Sequence, residues 1–105
     1  MLLLNIDYIP GKEIAEALGI AKGSVVMSKH LGKDFMAGMK TIVGGEIESY
    51  TEMLDGARKI AMKRMVEDAE GMGADAVINI RYASSSVMQG AAEVTAYGTA
   101  VRVKD

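Results

Sequence analysis

His30 and Asp34 stand four residues apart in the stretch SKHLGKD. On a helix that spacing would set an imidazole and a carboxylate on one face, the beginning of a site for zinc or another divalent cation. Two ligands are too few for a tight site, although a ring of subunits would multiply them around its axis. The plainer reading is a histidine in an exposed loop. Next comes VGGE at Val43 to Glu46, where Gly44 and Gly45 would let the first N–H groups and the dipole of a helix meet an anion. Neither a Walker lysine nor a GxGxxG pattern accompanies it. Glu46 and Glu48 would also repel a phosphate, which favours a tight turn followed by acidic first-turn residues that complement the dipole.

Nine methionines offer thioether donors of the kind that suits Cu(I). Met36 and Met39 are three apart and Met27 is a further member of such a cluster, but most of the nine fall among apolar neighbours and read as adaptable core filler. Catalytic chemistry has thinner material. Ser84, Ser85 and Ser86 have no second histidine with which to build a charge relay. Arg58 is the charged residue of most interest. It is either one partner of an intersubunit ion pair, with Asp34 or Asp75 opposite, or the cation of a site shared with one of those carboxylates.

The elements that must position these residues follow from length and pattern. A chain of 105 residues, half of them hydrophobic and a quarter charged, with one proline, is a single folded domain. Its net charge of -2, without any basic run, and its one phenylalanine and four tyrosines argue against a nucleic-acid binder. The absence of cysteine removes disulfides, thiolate metal sites and thiol nucleophiles together. The opening MLLLNIDYIPG has too short an apolar run for a signal sequence, and no segment approaches the roughly 20 apolar residues of a membrane span. A cytoplasmic protein is expected.

Residues 2 to 6 read as a short strand ended by Pro10-Gly11. The stretch from Lys12 to Ser28 is locally ambiguous: Ile14, Ala17 and Leu18 fit a helix, whereas SVVMS favours a strand. Glu46 to Met72 is a helix closed by the glycines of GMGAD. Its polar residues gather on one arc, and an apolar arc of roughly 240° remains, wider than one sheet can cover. The excess is expected to meet a second subunit. Arg64 and Asp68 sit within that arc at a spacing suited to pairing. Ala76 to Tyr82 reads as a buried strand, SSSVMQGA as a polar turn, and EVTAYGTAVRV as a final strand with Thr95, Tyr97, Thr99 and Val101 on one face and Val94, Ala96, Ala100 and Arg102 on the other.

DFMAGMKTIVGGE, Tyr50, Ala57-Arg58, GADAVINI from Gly73 and GTAV from Gly98 together resemble the YbjQ-like family of putative heavy-metal-binding domains over nearly the whole chain. The resemblance implies an α+β fold, one long helix on a mostly antiparallel sheet, assembled as a homopentamer. It also makes the segment from about Lys12 to Ser28 a strand and names the neighbouring subunit as the partner of the wide apolar arc. This sequence departs from the family pattern at Glu46, where many relatives carry arginine, and at His30, where they tend to asparagine.

The function expected is that of a small homo-oligomer binding a metal ion or small ligand at its subunit interfaces, with Arg58, Asp34, Gly44, Gly45 and Asp75 as ligand-binding candidates and His30 as the metal candidate. The alternatives are a small enzyme with an intersubunit site, using Arg58 and a carboxylate, and a structural adaptor without ligand.

Overall fold

The computed structural model describes residues 1–28 and 43–104, with residues 43–49 described by backbone alone. Four strands and one helix follow in the order β1 (Leu2–Leu3), β2 (Glu13–Ser28), α1 (Val43–Gly71), β3 (Ala76–Met88) and β4 (Ala91–Lys104). The sheet runs β1-β3-β4-β2. The pairs β2/β4 and β3/β4 are antiparallel and β1/β3 is parallel, so the sheet is mixed.

Three boundaries differ from the sequence expectation. The serines of SSSVM lie within β3, not in a turn, and the reversal is confined to Gln89 and Gly90. The helix begins at Val43, so Gly44 and Gly45 occupy its first turn instead of preceding it. At the N-terminus the strand is short, but its backbone bonds to β3 continue: the Leu4 N–H donates to the Val77 carbonyl and the Asn79 N–H to that of Ile6. The Lys12–Ser28 segment is a strand from Glu13, as the family resemblance implied. Its pairing with 14 residues of β4 overrides the helical spacing of Ile14, Ala17 and Leu18.

Beyond Gly71 the chain closes the helix with a Schellman arrangement. The Ala74 N–H donates to the Ala69 carbonyl and the Gly73 N–H to that of Glu70, while Gly73 takes a φ of 81° that residues with a Cβ disfavour. Ala57, Ala61, Met65 and Ala69, spaced by four, form the fully buried stripe of α1. They meet Ala21 and Val25 of β2, Val94, Ala96 and Ala100 of β4, and Val77 and Ile80 of β3. Alternation on β4 follows the expected division. Val94, Ala96 and Ala100 face the helix, whereas Val101 joins Ile9, Ala76 and Ile78 in a second cluster on the other face. The helix therefore covers one face, and the loop carrying Ile9 covers one end of the other.

Small residues set the separation of the layers. A Cβ at Gly23 would collide with the Ala61 carbonyl oxygen, the Met65 nitrogen and the Arg64 Cβ, so helix and strand touch there backbone to backbone. Gly98 has the same role within the sheet. Opposite it, β3 bulges between Ile78 and Arg81, and Asn79 adopts a φ of 54°. A Cβ at Gly98 would stand 2.7 Å from Val77 Cγ1 and 2.8 Å from the Ile78 carbonyl oxygen.

The overall shape is elongated. The radius of gyration is 17.2 Å, against about 13 Å for a compact chain of this length.

Gly23→Ala should lower stability by about 1–3 kcal/mol, because the backbones of β2 and α1 must separate. Gly56→Ala, whose added Cβ meets nothing within 4 Å, should raise stability by about 0.5–1 kcal/mol through helix propensity. Urea unfolding of the two variants checks this opposite sign.

Candidate functional site

Arg64 and Asp68 on the flank of α1 each bond to the backbone of β2. Arg64 Nη1 donates to the Ser24 carbonyl oxygen at 2.6 Å, and the Lys22 N–H donates to Asp68 Oδ2 at 3.0 Å. The i,i+4 pairing expected for Arg64 and Asp68 is thus corrected. Both reach the outer edge of β2, where an unpaired donor and acceptor of an edge strand present stronger partners than a neighbouring exposed side chain would. On the open face beside them, Ser24 Oγ and Thr95 Oγ1 lie 2.8 Å apart across the two strands.

Arg58 Nη1 donates to Asp55 Oδ1 at 2.9 Å, an i,i+3 pair on the same helix, largely exposed to water. Within the chain Arg58 does not meet Asp75, one of the two carboxylates considered for it. Asp75 has its own work: its N–H donates to the Val101 carbonyl, and its Oδ2 accepts the Val103 N–H at 2.8 Å. It thereby fastens the turn after α1 to the end of β4. Thirteen helical residues between Arg58 and Gly71 amount to about 20 Å of rise, so Arg58 and Asp75 cannot share one site in a single chain. Asp34 and His30 lie outside the described residues, as do Met36 and Met39. Gly44 and Gly45 are helical in backbone.

Residues that were not site candidates in the sequence line a concavity among the described residues. A groove of about 690 Å³ runs between the N-terminal strand, α1 and β3, with Leu3, Leu4, Met62, Ile80 and Tyr82 as largely apolar walls and Asn5 and Arg81 as polar rim. Arg81 Nη1 is held by the carbonyls of Asn5 at 2.8 Å and Ile80 at 3.0 Å. The groove exists because α1 lies mainly over β2 and β4 and reaches β3 only at Val77 and Ile80. Alternation in the β3 sequence carried a hint, since Ile80 and Tyr82 fall on one face, but the position of the helix over the sheet is not a local property. A smaller hollow of about 290 Å³, lined by Leu2, Lys12, Asp75 and Val103, opens at the other end of the sheet.

Among the described residues no group of three His, Cys, Asp or Glu side chains is placed to hold a metal ion. No helix there is long and apolar enough to cross a membrane.

One helix on a mixed four-stranded sheet, with an apolar groove beside the helix, defines a small α+β protein. The chain belongs to the YbjQ-like family, whose model, described as "Putative heavy-metal-binding", matches residues 1–104. It is 60% identical over 103 residues to a UPF0145 protein of Clostridium novyi (strain NT), covering 98% of this chain and 99% of that one. It is 62% identical over 102 residues to a UPF0145 protein of Alkaliphilus metalliredigens, covering 97% and 98% of the two chains. A solved protein of unknown function from Pediococcus pentosaceus, of the DUF74 family, has the same fold, with a TM-score of 0.62 at 14% identity and coverage of 99% and 98%.

The heavy-metal description finds no matching donor set in the described residues. Soft metals take thiolates or thioethers; the sequence has no cysteine, and the candidates His30, Met36 and Met39 lie outside the described residues.

Replacing Asp68 by Ala should leave the Lys22 N–H on the strand edge without its charged acceptor and cost about 1 kcal/mol, with the Lys22 amide exchanging faster than in the parent protein. Arg58→Ala should change stability by less than about 1 kcal/mol, as for other exposed ion pairs. Hydrogen exchange followed by mass spectrometry and urea titration read the two effects.

Proposed function

We propose that this protein is a self-assembling binding module, a homopentamer by its family resemblance, which takes a small, largely apolar ligand in the groove at its subunit contacts. The observation that carries the reading is the shape of the chain together with what it exposes. The chain is elongated, with a radius of gyration of 17.2 Å, and Ile20, Val26, Tyr82, Val87 and Met88 remain open to water. Burying such side chains contributes about 1.5–3 kcal/mol each, which favours association that covers them.

The wide apolar arc of α1 supports the same conclusion. Only one stripe is sealed inside the chain, while Met62, Val66 and Ile60 stay partly or wholly accessible. Met62 also walls the groove, so a neighbour covering this flank would enclose the ligand position.

Within one chain Arg58 is engaged with Asp55 and lies far from Asp75 along the helix, so a site built on that pair would have to form between subunits. Within one chain the groove instead offers Met62, Ile80, Tyr82 and Arg81 as ligand candidates.

Sedimentation at micromolar concentration should give a single species larger than a monomer; a monomer would sink the assembly reading. Met62→Glu should dissociate that species and abolish ligand binding together. Native mass spectrometry of untagged protein should find a small organic adduct, and supplying that compound at a hundredfold excess over its Kd should stabilise the fold by about 2.7 kcal/mol. A pentamer that carries no adduct and shows no shift across a panel of small apolar compounds would leave an assembly without the ligand.

A further inference from the structure

Arg81 is the one charged residue lining the apolar groove, and its guanidinium is only partly engaged. Nη1 donates to the Asn5 carbonyl at 2.8 Å and to the Ile80 carbonyl at 3.0 Å. The Nε–H and the Nη2 donors remain. Among the described residues no acceptor meets them, and no carboxylate forms an ion pair with Arg81. That edge of a guanidinium matches a carboxylate through two parallel hydrogen bonds.

The backbone holds this arginine in place before any ligand arrives. β3 bulges between Ile78 and Arg81, with Asn79 at a φ of 54°, and a bulge re-aims the side chains beside it. The Asn79 N–H donates to the Ile6 carbonyl and the Ile80 N–H to that of Leu4, so the N-terminal strand runs alongside β3 up to this point. The Asn5 carbonyl between those two acceptors is taken by the guanidinium. A side chain already fixed at Nη1 has less rotamer freedom to lose on binding, and that loss is the usual cost of engaging an exposed arginine.

Around the charge the walls are apolar: Leu3 and Leu4 from the N-terminal strand, Met62 from α1, Ile80 and Tyr82 from β3. The volume of about 690 Å³ falls within the range of about 300–1,000 Å³ usual for small-molecule sites. One cation in an apolar trough balances one negative charge. A phosphate monoester carries about -1.5 to -2 at neutral pH and would find no second cation among the lining residues, whereas a carboxylate is neutralised.

We propose that the groove binds a monocarboxylate with an aliphatic chain, its carboxylate on the Nε and Nη2 edge of Arg81 and its hydrocarbon along Leu3, Leu4, Met62, Ile80 and Tyr82. This rests on the reading of the groove as a ligand site and names the chemistry of the ligand. Arg81 then has two tasks. Its Nη1 ties the N-terminal strand to β3, and the opposite edge selects the head group.

The experiment is isothermal titration calorimetry of the intact protein with octanoate, and with octanamide and octyl phosphate as its uncharged and more highly charged counterparts. Octanoate should bind at least about tenfold more tightly than octanamide, the scale of a charge-assisted hydrogen bond, and more tightly than octyl phosphate. Shortening it to hexanoate should weaken binding about two- to fourfold for each methylene removed. In Arg81→Gln the preference for octanoate over octanamide should vanish while octanamide binds as in the parent, a result that mere loosening of the N-terminal strand would not give. Arg81→Lys keeps the charge without the fork and should retain only part of the preference, which covers the case of a glutamine variant that fails to fold; a full preference there overturns the bidentate contact. Equal affinity for octanoate and octanamide in the parent overturns carboxylate recognition and leaves an apolar ligand groove standing. Tighter binding of octyl phosphate overturns the choice of head group, and a preference for octanoate that survives in Arg81→Gln places the anion elsewhere and overturns the proposal. Binding of none of the three overturns the groove reading as well.

Discussion

The fold hangs on the contact between β2 and α1 at Gly23. There the strand backbone lies directly on the helix backbone, between Ala61 and Met65. Because neither element can place a larger side chain at that point, the helix sits low on the sheet, and Arg64 and Asp68 come within reach of Ser24 and Lys22 on the strand edge. Close approach and edge capping reinforce one another. The small residues bring the layers together, and the charged pair then satisfies backbone groups that would otherwise face solvent or another chain.

That contact also decides where the protein is unfinished. A helix drawn over β2 and β4 covers β3 only as far as Ile80, which closes the core on that side, while Tyr82 and Met62 wall a groove beside it. The bulge opposite Gly98 completes the separation. Asn79 in its left-handed conformation directs its N–H to Ile6, while the Ile80 N–H reaches Leu4, so the N-terminal strand is held up to this point and not beyond it. Past the bulge β3 runs on paired with β4, and its side chains are exposed from Arg81 to Met88.

The sequence was most informative where a local pattern coincided with a tertiary demand. The helix from Glu46, its glycine-rich end and the two-residue alternation of β4 were all readable, since each depends on side-chain period or on glycine's access to positive φ. Lys12 to Ser28 was not readable from its own residues, because its helical spacing and its β-branched residues argue against each other. Family resemblance resolved it, and the structure supplies the reason in the long pairing with β4. The serines after Tyr82 were read as a turn because small polar residues favour turns, yet strand pairing with Val94 and Ala92 holds them extended.

Composition by itself removed thiol chemistry and disulfides and made nucleic-acid binding a poor expectation, and the breadth of the apolar arc on α1 pointed beyond the single chain. What only the tertiary structure decided was the partner of each charged residue: Arg64 and Asp68 to a strand edge, Arg58 to Asp55, and Asp75 to the β4 backbone. Spacing states which residues share a face, but a long side chain bonds whatever unsatisfied group lies within its reach. Those groups belong to strands 40 or more residues away in sequence for the helix pair, and they acquire a position only when the sheet has formed.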